Sequence, residues 1–146
     1  MERKHQFYMK PIKSLLLSLL LIQSILTMAQ TQDKMAQDEE TKAAINAYKL
    51  ADVELNSVYN QILTMYSSDT EFLKNVRESQ NIWVKFRTAE LKTKFPARGP
   101  GEYGSVYTMC VNDFLTEMTN ARITTLKEWI KGTYEGDVCS SSVKIN

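Results

Sequence analysis

A long segment without glycine or proline is the feature that most constrains the fold of this chain. From about Asp38 to well past Tyr66 neither residue interrupts the sequence. Apolar residues recur there at steps of three and four, the spacing of one helix face: Ala44, Tyr48, Ala51, Leu55, Val58 or Tyr59, Ile62 and Met65. The segment therefore predicts an amphipathic helix whose apolar side must be buried against other elements.

A second helix is predicted after a short break in this pattern. Ser68 and Glu71 have the spacing of a capping box, which indicates where the helix begins. Pro96 requires the helix to end near Phe95, because the residue before a proline is disfavoured in helical conformation. A short connection between two long helices favours an antiparallel hairpin.

A third helix is predicted from about Ser105 to Lys131, with Gly132 as its C-cap. No segment shows the alternation that is typical of strands. The sequence thus predicts an all-α fold, a small antiparallel bundle of three main helices over residues 38–132. A C-terminal tail over residues 133–146 follows it.

The first 29 residues have the features of a secretory signal peptide. Lys10 and Lys13 supply positive charge ahead of a Leu- and Ile-rich run over residues 14–26. Cleavage is predicted after Ala29, which leaves residues 30–37 as a flexible N-terminus. The alternative is an uncleaved membrane anchor, but the run of 13 residues is shorter than the ~20 that span a bilayer.

Cleavage would also change the charge and the chemistry of the chain. The signal carries four basic residues and one acidic residue, so its loss takes the net charge from +1 to about −2. Such a surface gives no electrostatic reason to expect nucleic acid as a partner. The only histidine, His5, leaves with the signal, which excludes the catalytic arrangements that depend on histidine. We therefore expect a non-enzymatic exported protein, soluble in the periplasm or outside the cell, with no metal, no cofactor and no stable membrane insertion.

Two cysteines, Cys110 and Cys139, remain in the mature chain. In an oxidising compartment an even pair in a short exported chain is most simply a disulfide. Closing a loop of 29 residues would stabilise the fold by ~3–4 kcal/mol in the chain-entropy model. The predicted bridge would tie the C-terminal tail to the third helix; two free thiols are the alternative.

Four strings of residues stand out in order along the chain. They are Leu55-Asn56-Ser57-Val58-Tyr59, Gln80-Asn81-Ile82-Trp83-Val84-Lys85-Phe86-Arg87, Gly104-Ser105 leading to Cys110, and Thr119-Asn120-Ala121-Arg122 followed by Leu126. Together they resemble the lysozyme-inhibitor LprI-type N-terminal domain, a family of exported bacterial proteins. The resemblance covers roughly residues 52–130 and implies a protein that binds lysozyme and so protects peptidoglycan.

This chain departs from the family in one respect. Family members usually carry a cysteine a few residues after the arginine of the second helix, where this chain has Ala89-Glu90-Leu91. The resemblance therefore implies that Cys110 has lost its usual partner and that the disulfide is rerouted to Cys139.

The residues of the family motif are predicted to be mainly structural. They are Leu55, Asn56, Tyr59, Gln80, Trp83, Phe86, Arg87, Glu90, Ser105, Arg122 and Leu126. A polar network between the helices is expected from Arg87, Arg122, Asn56 and Gln80, with Glu54, Glu90 or Glu117 as the acid. A ligand site built from the same residues is the alternative.

The loop between the second and third helices is the candidate for binding a partner. An inhibitor has to occupy the cleft of a lysozyme, and Arg98, Glu102 and Tyr103 lie in the part of the loop that would protrude. The alternative is a plain connection whose glycines serve the turn.

A second function is also compatible with the sequence, namely an envelope domain that helps to assemble another exported protein through its helix faces. A shared surface patch of Tyr48, Tyr66 and Tyr107 would support it. The sequence leaves open which protein is the partner and how many copies of the chain associate.

Overall fold

The computed structural model describes residues 6–99 and 101–145, which form three α-helices. These residues include no strand, and a single isolated β-bridge joins Thr133 to Ile145. The predicted all-α class with three main helices is therefore confirmed. The first residues of the predicted signal, His5 among them, lie outside the described part of the chain.

The first helix, α1 (Gln6–Met65), contributes to both of the units into which the chain divides. One unit ends at Glu40 and the other begins at Thr41. Residues 30–37, predicted to be flexible, are helical within α1. None of the described helices has an apolar stretch long enough to cross a membrane.

The second helix, α2 (Thr70–Lys94), begins slightly later than the capping-box pattern predicts. Its N-cap is Asp69 and not Ser68, because the Asp69 carboxylate accepts the hydrogen bond of the Phe72 amide at 2.9 Å. The predicted end is confirmed. Phe95 closes the helix as a non-helical C-cap directly before the proline.

The third helix, α3 (Tyr107–Lys131), follows the connecting loop. Gly132 is its C-cap, as predicted, and its φ of 76° lies in the left-handed region that glycine adopts without a Cβ clash. The helix therefore ends where the chain has to turn away into the tail.

The core of the unit that begins at Thr41 is built from all three helices. On α1 the buried stripe recurs at helical spacing and comprises Ala44, Ala51, Leu55, Val58 and Ile62, and the buried Tyr66 follows directly after the helix. The buried residues of the other two helices are Phe72 and Val76 on α2 and Thr119, Ile123 and Leu126 on α3. Three amphipathic faces thus close on one another, which is how helices without a sheet bury apolar surface.

The C-terminal tail packs on the end of the bundle where α1 meets α2. The Tyr66 hydroxyl donates to the Trp129 carbonyl at 2.9 Å and accepts from the Lys144 amide at 3.1 Å. The Lys144 ammonium donates to the Met65 carbonyl. A hydrogen bond from the Thr133 amide to the Lys144 carbonyl (2.9 Å) closes the tail on itself. The tail is therefore held by hydrogen bonds.

The predicted disulfide is wrong, because Cys110 and Cys139 are both free thiols. Cys110 lies in the first turn of α3, and the tail is attached at the other end of that helix. The rise from Cys110 to Lys131 is roughly 30 Å at 1.5 Å per residue, whereas a disulfide requires Cα atoms within about 7 Å. The tail that was expected to reach Cys110 folds back on Tyr66.

Candidate functional site

Arg87 on α2 joins all three helices of the bundle. Its Nη1 atom donates to the Thr119 hydroxyl on α3 at 3.0 Å and contacts the Asp52 carboxylate on α1 at 3.3 Å. The Arg87 side chain is only 13% exposed, and Thr119 is fully buried. A charge in this position requires the carboxylate and the hydroxyl, because an unpaired buried guanidinium is costly.

Two aromatic rings complete the surroundings of Arg87. Its guanidinium carbon lies 4.8 Å from the centre of the Trp83 ring and 5.6 Å from that of Tyr48. Both distances are within the range of cation–π attraction. Inside the bundle the Arg87 guanidinium is therefore paired with a carboxylate, hydrogen-bonded to a hydroxyl and in contact with two aromatic rings.

The acid that pairs with Arg87 differs from the predicted ones. The sequence predicts Glu54, Glu90 or Glu117 as this acid, whereas in the structure Asp52 pairs with Arg87. Glu54 instead accepts from the Lys127 ammonium at 2.6 Å. Asp52 and Glu54 are two positions apart on α1, about 200° around the helix, and so face different neighbours.

Arg122 on α3 makes a second bridge, this time between α3 and α2. Its Nε donates to the Gln80 side-chain oxygen and its Nη2 to the Ser79 hydroxyl, both at 3.0 Å. The guanidinium carbon lies 5.9 Å from the centre of the Trp83 ring. Partial burial lowers the pKa of Arg122. Within the described part of the chain this arginine forms no ion pair.

The remaining motif residues divide between core and surface. Leu55 and Leu126 are buried, whereas Phe86 is 51% exposed on α2. Asn56 does not bridge helices, since its amide donates to the Asp52 carbonyl of its own helix at 2.8 Å. The others, which the structure places outside the polar contacts described above, are Tyr59 and Glu90, both half-buried, and Ser105, which is exposed.

The loop over residues 95–106, which the structure describes except at residue 100, contains contacts between its own side chains. Glu102 accepts from the Arg98 guanidinium at 2.9 Å and from the Gly99 amide at 3.2 Å. The hydrogen bond to Glu102 and the field of Tyr103 raise the pKa of Arg98. The two charges that the sequence proposes for partner binding thus pair with each other.

An aromatic cluster supports this loop, and we call Phe95, Tyr103, Tyr107 and Phe114 the loop-end cluster. Tyr103 stacks on Tyr107 with ring centres 4.9 Å apart, and its hydroxyl donates to the Pro96 carbonyl at 2.6 Å. Phe95 contacts Tyr103, Tyr107 and Phe114 edge-on at 5.8, 5.6 and 6.4 Å. The described residues of the loop therefore pack against its own aromatic rings and against α3.

Three residues of these sites escape sequence analysis. Asp52 and Ser79 bind the two arginines, but nothing in their spacing distinguishes them from other polar surface residues. Thr119 belongs to one of the motif strings, and its place three residues before Arg122 is the one signal that could have identified it.

No group of three or more His, Cys, Asp or Glu side chains in the described residues could hold a metal ion. The proposed aromatic patch is not formed either, because Tyr66 is buried at one end of the bundle and Tyr107 is 39% exposed at the other.

Comparison with known protein families decides the relationship of this chain. The model of the family described as lysozyme inhibitor LprI matches residues 27–126. The chain belongs to the LprI family. The match covers just over two thirds of this chain, including all of α2 and most of α3. No curated protein and no solved structure matches it.

The LprI match contains both arginine bridges and the whole loop. It ends at Leu126, within α3 and before the tail. The tail that packs on Tyr66 therefore lies outside the residues that the family model matches.

Proposed function

We propose that this chain is an exported, non-enzymatic protein that binds a lysozyme and inhibits it. The observation that carries the proposal is the match to the lysozyme inhibitor LprI over residues 27–126. The lone histidine lies in the predicted signal, at His5, so the mature chain has no histidine for catalysis. A signal peptide over residues 1–29 would deliver the domain to the envelope, where lysozymes attack peptidoglycan.

The loop end is the surface that we assign to lysozyme. Side chains that are already held by their neighbours lose little conformational entropy on binding, and this increases affinity. Tyr103 is fixed by its stacking on Tyr107 and by its hydrogen bond to Pro96. Large, rigid aromatic groups of this kind are frequent energetic centres of protein interfaces.

The charges of the loop suit the cleft of a glycosidase. Such clefts carry two carboxylic residues that flank the scissile bond. Arg98 and Glu102 form an exposed ion pair, with side chains 53% and 47% exposed, and exposed pairs exchange partners at little cost. On binding, the Arg98 guanidinium would turn to the carboxylates of the cleft, while Glu102 would keep the Gly99 amide.

The test is a lysozyme assay with protein that cells have exported themselves. The whole chain is expressed, the exported protein is purified, and its mass reports whether cleavage follows Ala29. The protein is then added at micromolar concentration to several classes of lysozyme acting on a suspension of bacterial cells. Slower clearing of the suspension is expected with at least one class; unchanged clearing with all of them would contradict the proposal.

A pair of double variants locates the binding surface. Glu102→Ala with Tyr103→Ala removes two side chains from the proposed binding loop and should abolish most of the inhibition. Tyr134→Ala with Glu135→Ala is the matched control, because it removes the same two side-chain types from exposed positions in the tail. If the first variant still inhibits lysozyme, the protein binds lysozyme through a surface other than the loop.

One observation favours the assembly of another exported protein as a second function. Ile82 and Phe86 are one turn apart on α2 and are 58% and 51% exposed, so they form an apolar strip on one helix face. If no lysozyme is inhibited, replacing both residues by serine and comparing the proteins that co-purify from the envelope would test this function.

A further inference from the structure

A groove between α2 and α3 has the size of a small-molecule site. Its volume is about 490 Å³, within the range of known ligand pockets. The core residues Phe72, Val76 and Leu126 line it together with Trp129, and Ser142 of the tail also contributes to the lining. The apolar part of the lining is thus formed by residues that the core holds in place.

One end of this groove carries the positive charge of Arg122, which forms no ion pair with any residue that the structure describes. Arg122 lines the groove, and its hydrogen bonds go to the neutral oxygens of Gln80 and Ser79. These two bonds use two of the five donors of a guanidinium. An arginine that is partly removed from water and lacks an anion is an unfavourable arrangement, which an arriving carboxylate would relieve.

The other end of the groove is acidic. Asp69 and Glu71 lie there, where α2 begins. Asp69 is engaged as the N-cap, whereas Glu71 has only exposed partners, among them Lys74 at 3.6 Å. A surface pair of this kind is weak and readily exchanged for another cation.

The distance between the two charged ends defines the length of a ligand. Glu71 and Ser79, which holds Arg122, are eight positions apart on α2, or about 12 Å at the rise of an α-helix. An extended peptide of three to four residues spans about 10–14 Å. A fatty acid would satisfy Arg122 and the apolar lining but would leave the acidic end unmatched.

We infer that this groove binds a short peptide with free termini, its carboxylate on Arg122, an apolar side chain against Phe72 and Trp129, and its ammonium facing Glu71. The inference is independent of lysozyme binding, because the groove lies on helix faces and the proposed lysozyme surface is the loop over residues 95–106. The peptide class follows from the opposite charges at the two ends and from the apolar lining between them.

The first experiment uses chemical variants of the ligand on the unmodified protein. Trileucine with free termini, its C-terminal amide and its N-acetyl form are titrated by calorimetry. The amide should bind at least about tenfold more weakly, the factor that corresponds to one charge-assisted hydrogen bond. The N-acetyl form should lose about two- to fivefold, because Glu71 is exposed. Equal affinity of the free and amidated peptides, or no binding of the free peptide, overturns the inference.

The second experiment locates the carboxylate. Arg122→Gln should weaken the free peptide by a similar factor and leave the amide unchanged, whereas Arg77→Gln removes a charge from an exposed position of α2 and should change neither. Loss of affinity for both peptides in the Arg122 variant would overturn the assignment of the carboxylate. Decanoate is titrated in parallel, and its binding in place of trileucine would make the occupant a fatty acid and overturn the peptide.

Discussion

The two ends of the bundle both carry aromatic residues, but they use them differently. At one end Tyr66 stacks on Phe72 at 4.2 Å and Trp129 meets Phe72 edge-on at 5.1 Å; we call these three residues the hairpin-end cluster. Tyr66 in this cluster is only 2% exposed. In the loop-end cluster, by contrast, Tyr107 is exposed and the Lys94 ammonium lies 4.3 Å from the centre of the Phe114 ring.

The distribution of buried residues follows the same division. Beyond Val76, α2 contributes no fully buried residue, and α3 contributes none before Thr119. The described residues of the hairpin end therefore supply most of the apolar burial that stabilises the fold. The loop end is left with ordered but accessible rings, which suits a surface that has to meet a partner.

The largest expected effect is the loss of a core side chain. Ile62→Ala should lower the free energy of unfolding by about 2–5 kcal/mol, because Ile62 is fully buried and the cavity cannot fill. Ile82→Ala, at an exposed position, should cost less than about 1 kcal/mol. Urea unfolding of both variants measures the difference. Equal losses of unfolding free energy in the two variants would contradict the difference between the buried core and the exposed surface.

Removal of the arginine that joins the three helices should have the next largest effect. Arg87→Ala removes the donor of the buried Thr119 hydroxyl and the ion-pair partner of Asp52, and it should cost about 1–3 kcal/mol. For a domain of this size the melting temperature would fall by several degrees. Arg77→Ala, at an exposed position of the same helix, is the control. An unchanged melt together with lost partner binding would make Arg87 a binding residue.

Hydroxyl deletions compare the two aromatic clusters directly. Tyr66→Phe removes the bonds to Trp129 and Lys144 and should cost about 1–2 kcal/mol. Tyr103→Phe removes one exposed bond to Pro96 and should cost below about 0.5 kcal/mol. Denaturant unfolding measures both, and hydrogen exchange of the tail should accelerate only in the first variant. A larger cost at Tyr103 would reverse the comparison.

Reduction should have the smallest effect. Because Cys110 and Cys139 are free thiols, dithiothreitol should leave the melting temperature unchanged. Alkylation without reductant should add two groups by mass, faster at the exposed Cys139 than at the half-buried Cys110. A chain that takes up no label until it is reduced would show that a bridge ties the two ends after all.

The helices themselves are largely readable from the sequence. The spacing of Leu55, Ile62 and their neighbours requires one buried face, and Pro96 and Gly132 stop a helix through local backbone chemistry. The motif strings also led to the right family. These features are local or depend on a pattern along the chain, so no knowledge of the tertiary structure is needed.

The partners of the functional residues depend on how the helices are rotated and aligned. Arg87 and Arg122 are conspicuous in the sequence, but Asp52 in place of Glu54, and Ser79 beside Gln80, follow only from the packed register. The same is true of the charged ends of the α2–α3 groove. A helix presents a new side chain every 100°, and small rotations exchange one acid for its neighbour.

The sequence by itself determined three helices, the C-terminal ends of α2 and α3, and the family, because periodicity and helix-stopping residues act over a few positions of the chain. Only the tertiary structure decided which end of the bundle buries its aromatic residues. It also decided that the tail is held by Tyr66, so that Cys110 and Cys139 do not meet. Counting cysteines indicates that a bond is chemically available. Whether the two thiols meet depends on roughly 30 Å of rigid helix between one end of α3 and the other.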